Sequence, residues 1–539
     1  MSGEKKIKSV AIVGAGAAGA ITAAALKAEN YFERIQVFER RGTPGGTWIY
    51  DPDPNPLPVL RPGDLPPDID PPLEIPSGLP RITPPNRQER YAQTPIYDSL
   101  TTNVPDIAMC FSDRRFAYGP FAPHYVPRQY VESYFSAHGT DALLSVNTTV
   151  EDISKLAPSS SSTEGSGGGG KGGGGDERWK LTLRKYDSAR HVDVWWEEVF
   201  DAVVLANGHY SVPYIPPVPG LSTYIAHFPN RVTHSKTYRS PLPYASKRVL
   251  IIGNSASGHD LSAELTSQAA LPVWQSRRSP SRWDGDSPPP GIAWKPIISE
   301  YRPDGTIVFA DGTSLGPDDV DAVIYCTGYA PSFPFWNAGA NGGEELWDYG
   351  TQHLRRGFQH TFVRGEPTLG IVGLPRVLTF RSFEYQAIAL ARLLAGRNAA
   401  PLPSEAEQEQ WERARLEATR REGRKFHDIQ WETGETAAWL GFLFRVAGLG
   451  TLSGEGRIPP ALSREVVWAV EHIKKYPEPG KGEGKKGEEE GIKEEGIKEE
   501  GIKEEEDGGS ESVERRQRGN DEGEWVLVKR AHKDLLGFI

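Results

Sequence analysis

Two glycine-rich turns, each between an apolar strand and a helix, constrain the fold more than any other feature of this sequence. The first turn, GAGAAG, begins at Gly14 after the apolar residues 10–13, and the second, GNSASG, begins at Gly253 after residues 249–252. In this strand–turn–helix setting, backbone N–H groups and a helix N-terminus face the phosphates of a dinucleotide. The chain is therefore predicted to contain two nucleotide-binding α/β units.

The residues that follow the two turns differ in charge. About twenty residues after the last glycine, the first unit carries Glu39 and the second carries Arg277 and Arg278. An acid at this position accepts hydrogen bonds from a free ribose hydroxyl, whereas arginines suit a 2′-phosphate. FAD in the first unit and NADPH in the second is the simplest pair of cofactors that fits. Arg40 and Arg41 directly follow Glu39, so a 2′-phosphate in the first unit stays an alternative.

The two turns are not equally regular. The first pattern is complete in its three glycines, Gly14, Gly16 and Gly19. In the second, Ser255 replaces the middle glycine between Gly253 and Gly258. A side chain at this position limits how closely the backbone can approach a pyrophosphate. The arginines after the second turn favour a phosphate site because guanidinium groups match phosphate geometry, although most surface arginines are simply solvated.

Composition excludes several other classes of protein. The chain has 61 Lys and Arg against 72 Asp and Glu, for a net charge of −11, which does not favour binding to nucleic acid or an anionic membrane. Cys110 and Cys326 are far apart and form no C-x-x-C pair, which disfavours a dithiol reductase and suits the reducing cytoplasm. No secretory signal and no run of about 18 apolar residues are found, so no membrane span is expected.

The remaining sequence pattern predicts the order of elements. The two βαβ units cover residues 9–39 and 248–278. Residues 51–87 are dense in proline and are predicted to form a long surface excursion. A Ser/Gly run at 159–175 is predicted to be a flexible loop inside a hairpin of strands 148–153 and 179–184. Further strands are expected at 199–205, 320–325 and 369–373, and helices at 385–394 and 404–422.

These elements predict an α/β fold with two Rossmann-like dinucleotide-binding domains, the smaller NADPH domain inserted into the larger FAD domain. The FAD domain is expected in two parts, residues 1–212, with a flexible loop at 157–177, and residues 326–474, with the NADPH domain at 213–325 between them. From 475 to 539 the chain is rich in Gly, Glu and Lys, with GIKEE repeated, and is predicted to be a largely disordered acidic tail.

Several short segments outside the glycine turns resemble flavin-containing monooxygenases. Residues 45–48 (GGTW) are similar to the G-G-x-W element of that family, and residues 97–105 (YDSLTTNVP) to its Y-x-x-L-x-T-N-x-P segment. The identifying motif F-x-G-x-x-x-H-x-x-x-(Y/F) is matched by Phe228, His234 and Tyr238, with Asn230 in place of glycine. Asparagine tolerates a left-handed backbone better than most residues, so the turn is expected to survive.

The resemblance covers most of residues 8–470 and implies roles for individual residues. It continues through residues 206–210 (ANGHY) and 327–329 (TGY). It implies that Asn103 is an active-site asparagine near the reactive edge of the flavin, although an asparagine there also suits a turn cap. It implies that His234 links the nucleotide domains rather than transferring protons. The other cofactor contacts that it implies are Gly46, Trp48, Gly208, Thr327, Gly328 and Gln386. For NADPH it implies Asn254 and Ser257 at the pyrophosphate and Ser276, Arg277 and Arg278 at the 2′-phosphate.

The resemblance also implies the reaction. NADPH reduces FAD, dioxygen adds to the reduced flavin, and the flavin hydroperoxide transfers one oxygen atom to a soft nucleophile such as a thiol, thioether or amine. No metal is needed. Baeyer–Villiger oxygenation of a ketone is an alternative, but its closely similar motif normally closes with Trp or Phe followed by Pro, where this chain has Tyr238 and Arg239. The other alternative is a flavoprotein without oxygenation that acts as an NADPH oxidase or scaffold. A homodimer is left open.

Overall fold

The computed structural model describes residues 6–54, 56–57, 60–66, 68–156, 178–281, 283–448 and 454–476. The flexible loop predicted at 157–177 lies outside these residues, and so does the predicted acidic tail from residue 477 onward.

The helices of the described part begin and end as follows: α1 Ala17–Ala28, α2 Asp106–Met109, α3 Tyr125–Ala137, α4 Leu221–His227, α5 Ala256–Leu265, α6 Phe380–Leu394, α7 Glu405–Arg421, α8 Glu435–Ala447 and α9 Arg464–His472. Helix α7, predicted at 404–422, begins with a capping box. The side-chain hydroxyl of Ser404 accepts from the N–H of Glu407, and the Glu407 carboxylate accepts from the N–H of Ser404. Two backbone donors at the helix start are thereby satisfied.

The strands of the described part are β1 Ser9–Val13, β2 Arg34–Phe38, β3 Arg81–Thr83, β4 Leu144–Ser145, β5 Thr148–Leu156, β6 Arg178–Asp187, β7 Val192–Phe200, β8 Ala202–Leu205, β9 Val212–Pro213, β10 Val232–His234, β11 Arg248–Ile252, β12 Ala270–Ser276, β13 Ile292–Lys295, β14 Ile298–Tyr301, β15 Ile307–Phe309, β16 Ser314–Leu315, β17 Ala322–Tyr325, β18 Tyr329–Ala330, β19 Trp347–Asp348, β20 His353–Leu354, β21 Gly357–Phe358, β22 Phe362–Val363 and β23 Leu369–Ile371.

A seven-stranded sheet contains the first glycine turn. Its order is β21-β22-β23-β8-β1-β2-β4, and the pairs from β23 to β4 are parallel. Strand β1 lies in the middle of the parallel part of this sheet. Its apolar side chains are buried on both faces, because helices α1, α3 and α6 pack on one face and strands β5 and β6 pack on the other. A parallel strand covered on both faces reads as a continuous apolar run, which is why residues 10–13 carry no alternation.

A second, five-stranded sheet contains the second glycine turn. Its order is β10-β17-β11-β12-β13, and all of its pairs are parallel. In the chain, these strands lie between β8 and β23, which are neighbours in the first sheet. The second Rossmann-like unit therefore interrupts the first, as the sequence predicts.

A four-stranded antiparallel sheet, β3-β7-β6-β5, confirms the predicted hairpin. Strands β5 and β6 pair from Thr148 with Lys185 to Leu156 with Arg178, with one register shift between Val150 and Asp152, and Leu156 with Arg178 is the last pair before the gap in the described residues. No helix of the described residues is long and apolar enough to cross a membrane.

The prediction of a single strand at 199–205 is wrong. Strand β7 belongs to the antiparallel sheet and β8 to the parallel sheet, and Asp201 lies between them. The Asp201 carboxylate accepts from the backbone N–H groups of Lys8 and Ser9, at 2.9 and 2.8 Å. These contacts fix the point where the chain passes from one sheet to the other. The sequence does not show this break, because Asp201 lies within an otherwise apolar run.

The prediction of a surface excursion at 51–87 is wrong in part. Leu65 and Ile69 are buried in a small cluster with Tyr91 and Val212. Strand β3 lies in the same segment and pairs with β7. The segment is thus attached to the fold through spaced apolar side chains, which the density of proline hides in the sequence.

Candidate functional site

The glycines of the first turn are required by close backbone contacts. Gly14 has a φ of +105°, and a Cβ added to it would lie 2.7 Å from Ala206 O at the end of β8. A Cβ on Gly19 would overlap Gly14 O, and one on Gly16 would lie 3.3 Å from Gly46 Cα. The turn, the end of β8 and the GGTW segment therefore meet at distances that only glycine allows.

The second turn has the same backbone geometry as the first. Gly253 has a φ of +109°, and a Cβ on it would lie 2.9 Å from Cys326 O at the end of β17. A Cβ on Gly258 would overlap Gly253 O. Ser255 has φ and ψ of −83° and −170°, against −76° and −167° at Gly16. Its exposed side chain makes no cap hydrogen bond, so serine leaves the shape of the turn unchanged.

Backbone hydrogen bonds show which residues of the two units are equivalent. Gly14 N donates to Phe38 O and Gly253 N donates to Ser276 O, both at 2.8 Å. The next residues, Glu39 and Arg277, therefore occupy equivalent positions with opposite charges, as the sequence spacing suggests.

In the first unit, the acid contacts the glycine turn itself. Glu39 is 4% exposed, and its Oε2 accepts from Ala15 N at 2.9 Å while its Oε1 accepts from Arg41 N at 2.9 Å. The carboxylate is thus held beside the turn, at the place where a ribose of a bound dinucleotide lies.

In the second unit, the predicted phosphate ligands contact an acid that the sequence did not suggest. Asp284 Oδ2 accepts from Asn254 Nδ2 at 2.7 Å and from Arg277 Nη1 at 2.9 Å. Burial raises the pKa of Asp284, but hydrogen bonds from Ser281, Asn254 and Arg277 outweigh it and leave that pKa below its ordinary value. Asp284 lies in an aperiodic proline-rich segment, where no pattern marks it.

The other residues predicted at the second turn are placed differently from one another. Arg278 is exposed. Ser276 is buried, and its hydroxyl donates to Pro296 O at 2.9 Å, so this hydroxyl is used within the protein. Ser257 lies in the first turn of α5, beside Gly258.

The linker motif, residues 228–238, contacts the chain after β8 through Lys236, whose Nζ donates to Tyr210 O at 2.9 Å. His234 is fully buried; its Nε2 donates to Gly328 O at 3.1 Å and its Nδ1 accepts from Lys236 N at 3.1 Å. Tyr238 donates to Glu264 Oε2 on α5 at 3.0 Å. Asn230 has a φ of +68°, the left-handed conformation expected at the position of the motif glycine. Both ring nitrogens of His234 are engaged by backbone, which fits a structural link.

The turns after β8 and β17 lie close together, since the rings of Tyr210 and Tyr329, which follow them, have centroids 5.4 Å apart. Gly208 has a φ of +79° and open space where a Cβ would project. Gly328 has a φ of +88°, and its carbonyl oxygen also accepts from Tyr214 N at 2.9 Å. The Thr327 hydroxyl donates to Tyr214 O. The predicted residues of these two turns therefore lie together at the carboxyl ends of the parallel strands, where such folds bind ligands.

His209 and Gln386 both contact Gly373, which follows β23. His209 Nδ1 donates to Gly373 O at 2.7 Å, and its buried Nε2 has no hydrogen-bond partner among the described residues. Gln386 is fully buried, accepts from Gly373 N at 3.1 Å and donates to His360 O and Thr361 Oγ1. Its amide is fully used within the protein, so the predicted cofactor contact of Gln386 would be indirect, through the position of Gly373.

Asn103 is exposed and carried by a fixed backbone. The preceding residue, Thr102, is buried; its N donates to Ala122 O and its hydroxyl accepts from Ala122 N, at 2.9 and 3.0 Å. Trp48 packs edge-on against Phe380, with ring centroids 6.3 Å apart. These positions leave the Asn103 amide free to contact a ligand, whereas Trp48 lies against the protein interior.

The residues present fit a dinucleotide at the first turn. A Cβ on Gly46 would lie 2.7 Å from Gly16 Cα, so the GGTW segment closes over the turn without side chains. The hydroxyl of Thr47, in the same segment, is buried and has no partner among the described residues. Backbone surface free of side chains, together with unused buried polar groups, is what a flavin dinucleotide requires of its site.

A cavity of about 470 Å³ is lined mainly by residues 68–75 and 332–349, and none of its lining residues belongs to a glycine turn or to the GGTW segment. Ser332 lies in its wall. The carbonyl oxygen of Ser332 accepts a hydrogen bond at 2.9 Å from Nδ2 of Asn207, the residue directly before Gly208. Its wall combines aromatic rings, such as Phe333 and Trp336, with carboxylates, such as Asp70. This volume suits a small organic molecule.

Neither cysteine has the features of a nucleophile. Both are free and buried, and burial raises the pKa of Cys110 and of Cys326 to about 12. The described residues contain no cluster of three or more His, Cys, Asp and Glu that could hold a metal ion.

The buried histidines predict a particular response to acid. Burial, followed by nearby cationic charge, lowers the pKa of both His209 and His234 to about 3. The unfolded chain takes up a proton near pH 6.5 whereas the folded chain does not, so stability falls as pH drops from 6.5 towards 3. We expect each histidine to contribute about 1.4 kcal/mol per pH unit well below pH 6.5.

Urea unfolding at pH 7, 6 and 5 measures this slope. The variant His234→Gln removes one of the two groups, so the fall in its free energy of unfolding should be shallower than that of the unchanged protein. An equal slope in both proteins would contradict the assignment of a neutral, buried His234.

Comparisons with known proteins agree with this geometry. Residues 78–283 match a family model described as flavin-binding monooxygenase-like, and residues 12–63 match an NAD(P)-binding Rossmann-like domain. The chain is 31% identical over 400 residues to the flavin-containing monooxygenase FMO GS-OX5 of Arabidopsis thaliana, covering 74% of this chain and 75% of that protein. It is 28% identical over 449 residues to the flavin-containing monooxygenase iboF of Amanita muscaria, covering 73% and 80%.

Solved structures show the same similarity. The S-allyl-L-cysteine S-oxygenase of Allium sativum is 28% identical and aligns with a TM-score of 0.62, covering 82% of this chain and 88% of that one. Tmm from Pelagibacter sp. strain HTCC7211 has the same fold, with a TM-score of 0.57 at 21% identity, covering 87% of each chain.

Proposed function

Because this chain belongs to the flavin-containing monooxygenase family, we propose that it transfers one oxygen atom of dioxygen to the sulfur of a small thioether or thiol, with an amine nitrogen as the second candidate. It is an enzyme of the monooxygenase class and its cofactors are FAD and NADPH.

The proposal assigns FAD to the first turn and NADPH to the second. The supporting observation is the pair of equivalent positions, Glu39 and Arg277, defined by the same backbone hydrogen bond in each unit. A carboxylate beside the turn suits a free ribose hydroxyl, and a guanidinium suits a 2′-phosphate. We place the FAD domain at residues 1–212 and 326–474 and the inserted NADPH domain at 213–325, in keeping with the two parallel sheets.

The preference for sulfur is supported by one relative of known structure. The garlic protein, 28% identical to this chain, is named for S-oxygenation of S-allyl-L-cysteine. The cavity beside Asn207 has room for a molecule of that size. Baeyer–Villiger chemistry is disfavoured at Arg239, whose buried guanidinium donates to Thr94 O and Lys236 O, a role that the proline of the ketone-oxygenating motif cannot fill.

The protein supplies position and exclusion of water rather than acid–base catalysis. Reduced FAD, when bound, supplies the activation of dioxygen and the transfer of one oxygen atom. In this proposal the exposed amide of Asn103 hydrogen-bonds the cofactor near the reacting centre. His234 and His209 stay neutral at working pH because the pKa of each is about 3, so neither transfers a proton. They hold the turns at Gly328 and Gly373 in place.

Product analysis tests the proposal. The purified protein, loaded with FAD, is incubated with NADPH and isotopically labelled dioxygen and with a thioether, an amine or a cyclic ketone. We expect a sulfoxide carrying one labelled oxygen, formed in step with NADPH oxidation. Hydrogen peroxide as the only product with every substrate, or a lactone from the ketone, would overturn the sulfur proposal.

Because both cysteines are free, we also propose a reducing compartment, the cytoplasm, as the location.

Asn103 provides a second test within the site. We expect Asn103→Ala to keep its flavin but to lose about tenfold or more in turnover, since one positioned hydrogen-bond donor near developing charge is worth at least that much. More of the consumed NADPH should appear as hydrogen peroxide. Gln268→Ala, which removes an exposed amide in the turn that follows α5, is the matched control and should leave turnover unchanged. Equal turnover in both variants would contradict the active-site role of Asn103.

A further inference from the structure

The two nucleotide sites obtain their carboxylates from different places. In the first, Glu39 reaches back to the residue that follows the first glycine, Ala15. In the second, Arg277 stands at the position of Glu39, and Asn254 stands at the position of Ala15. A carboxylate nevertheless contacts the same part of the second turn, and it comes from the segment after β12.

Asp284 provides that carboxylate. Its Oδ2 accepts three hydrogen bonds, from Asn254 Nδ2 at 2.7 Å, Arg277 Nη1 at 2.9 Å and Ser281 N at 2.9 Å. The side chain is only 5% exposed. It bridges the glycine turn and the end of the next strand, and the adenosine ribose of a dinucleotide bound to a Rossmann unit lies between these two points.

The guanidinium that Asp284 contacts is held in place. Arg277 lies over the ring of Trp294, with its guanidinium carbon 3.4 Å from the ring centroid. One of its terminal nitrogens is occupied by Asp284. A 2′-phosphate approaching Arg277 therefore meets a carboxylate that already accepts from the same group, whereas a ribose with a free 2′-hydroxyl meets an acceptor for that hydroxyl. Like charges brought together at a binding site cost affinity.

We propose that Asp284 is a specificity-determining residue of the second nucleotide site, which lowers the preference for NADPH over NADH by placing a carboxylate among the groups that would bind the 2′-phosphate. The inference rests on the assignment of the nicotinamide dinucleotide to the second turn under the proposed function. NADPH binding then requires Asp284 to leave Asn254 and Arg277, and NADH binding does not.

Binding of nucleotide fragments to the FAD-loaded protein tests this directly. Adenosine 2′,5′-bisphosphate and adenosine 5′-monophosphate differ only in the 2′-phosphate, and calorimetry gives a Kd for each. In Asp284→Asn we expect the ratio of the two constants to shift in favour of the bisphosphate by about tenfold or more. The ratio of kcat/KM for NADPH to that for NADH should shift in the same direction. Asp284→Ser is the second variant, and the flavin spectrum and thermal midpoint report folding of both.

Asp286→Asn is the matched control. Asp286 is exposed and lies in the same segment, so the variant makes the same change in charge without touching Arg277, and its ratio should stay within about twofold of the unchanged protein. An unchanged ratio in both Asp284 variants would overturn the inference and leave the proposed function standing. Weaker bisphosphate binding would also overturn it, because Asp284 would then position Arg277 for the phosphate. If the unchanged protein binds neither fragment, the assignment of the second turn fails as well.

Discussion

Replacing Gly19 by alanine should weaken FAD binding by about a hundredfold or more, while the same change at Gly258 should leave FAD bound and weaken NADPH to a similar extent. Each added Cβ would overlap the carbonyl oxygen of the first glycine in its turn and approach the carbonyl carbon to 3.0 Å at Gly14 or 2.6 Å at Gly253. Inserting one methylene into a packed core costs about 1–3 kcal/mol, and these overlaps with backbone are more severe.

The matched pair separates the two sites. The ratio of flavin to protein after purification reports the first, and calorimetry with NADPH reports the second. In Gly258→Ala, flavin reduced chemically rather than by NADPH should still react with dioxygen. Gly339→Ala is the control, since its Cβ would meet the nearest atom at an ordinary 3.6 Å. Loss of flavin from Gly258→Ala, with flavin retained in Gly19→Ala, would reverse the assignment of the cofactors.

Replacing Arg392 by methionine should lower the free energy of unfolding by about 3–5 kcal/mol. Arg392 on α6 and Glu29 at the end of α1 form an ion pair, with Nε and Oε1 3.0 Å apart and both side chains at most 1% exposed. Burial raises the pKa of Glu29, and the charges of Arg392 and Arg397 oppose that rise. Removing Arg392 leaves a buried carboxylate that, among the described residues, has only Arg397, at 3.4 Å and partly exposed, to compensate.

Urea unfolding of three variants measures this effect. The double variant Glu29→Gln with Arg392→Met should recover about 2 kcal/mol of the loss, because the buried charge is removed together with its partner. Arg413→Met breaks an exposed pair with Glu409 one turn away on α7 and should cost less than about 1 kcal/mol. A similar small cost for Arg392→Met would mean that the buried pair is not needed for the packing of α1 on α6.

The parts of the fold that are predictable from sequence are those set by local contacts. The two βαβ units were identified because Gly14, Gly19, Gly253 and Gly258 are each demanded by a backbone atom a few residues away or at the end of a neighbouring strand. Asn230 adopts the left-handed conformation for the same local reason. The residue types at these positions are therefore enough to predict the local turn conformation.

The parts that were missed depend on contacts between distant segments. Asp201 marks a change of sheet only because it meets the N-terminal strand, almost two hundred residues away in sequence. Asp284 is an ordinary acid until the fold places it between Asn254 and Arg277. The cofactor contact of Gln386 stays a prediction, and the hydrogen bonds of its amide with Gly373, His360 and Thr361 likewise join distant segments. No periodic pattern in the sequence predicts these contacts between distant segments.

The hairpin of β5 and β6 has a consequence for handling this enzyme in the laboratory. Leu156 and Arg178 are paired across the ladder, so whatever joins them must leave and return at neighbouring points. The entropy of closing such a connection grows only slowly with its length, and each doubling costs about 0.6 kcal/mol. A fluorescent reporter or affinity tag can therefore be grafted between these two strands, far along the chain from both glycine turns, as a handle for immobilising the enzyme and following it by light.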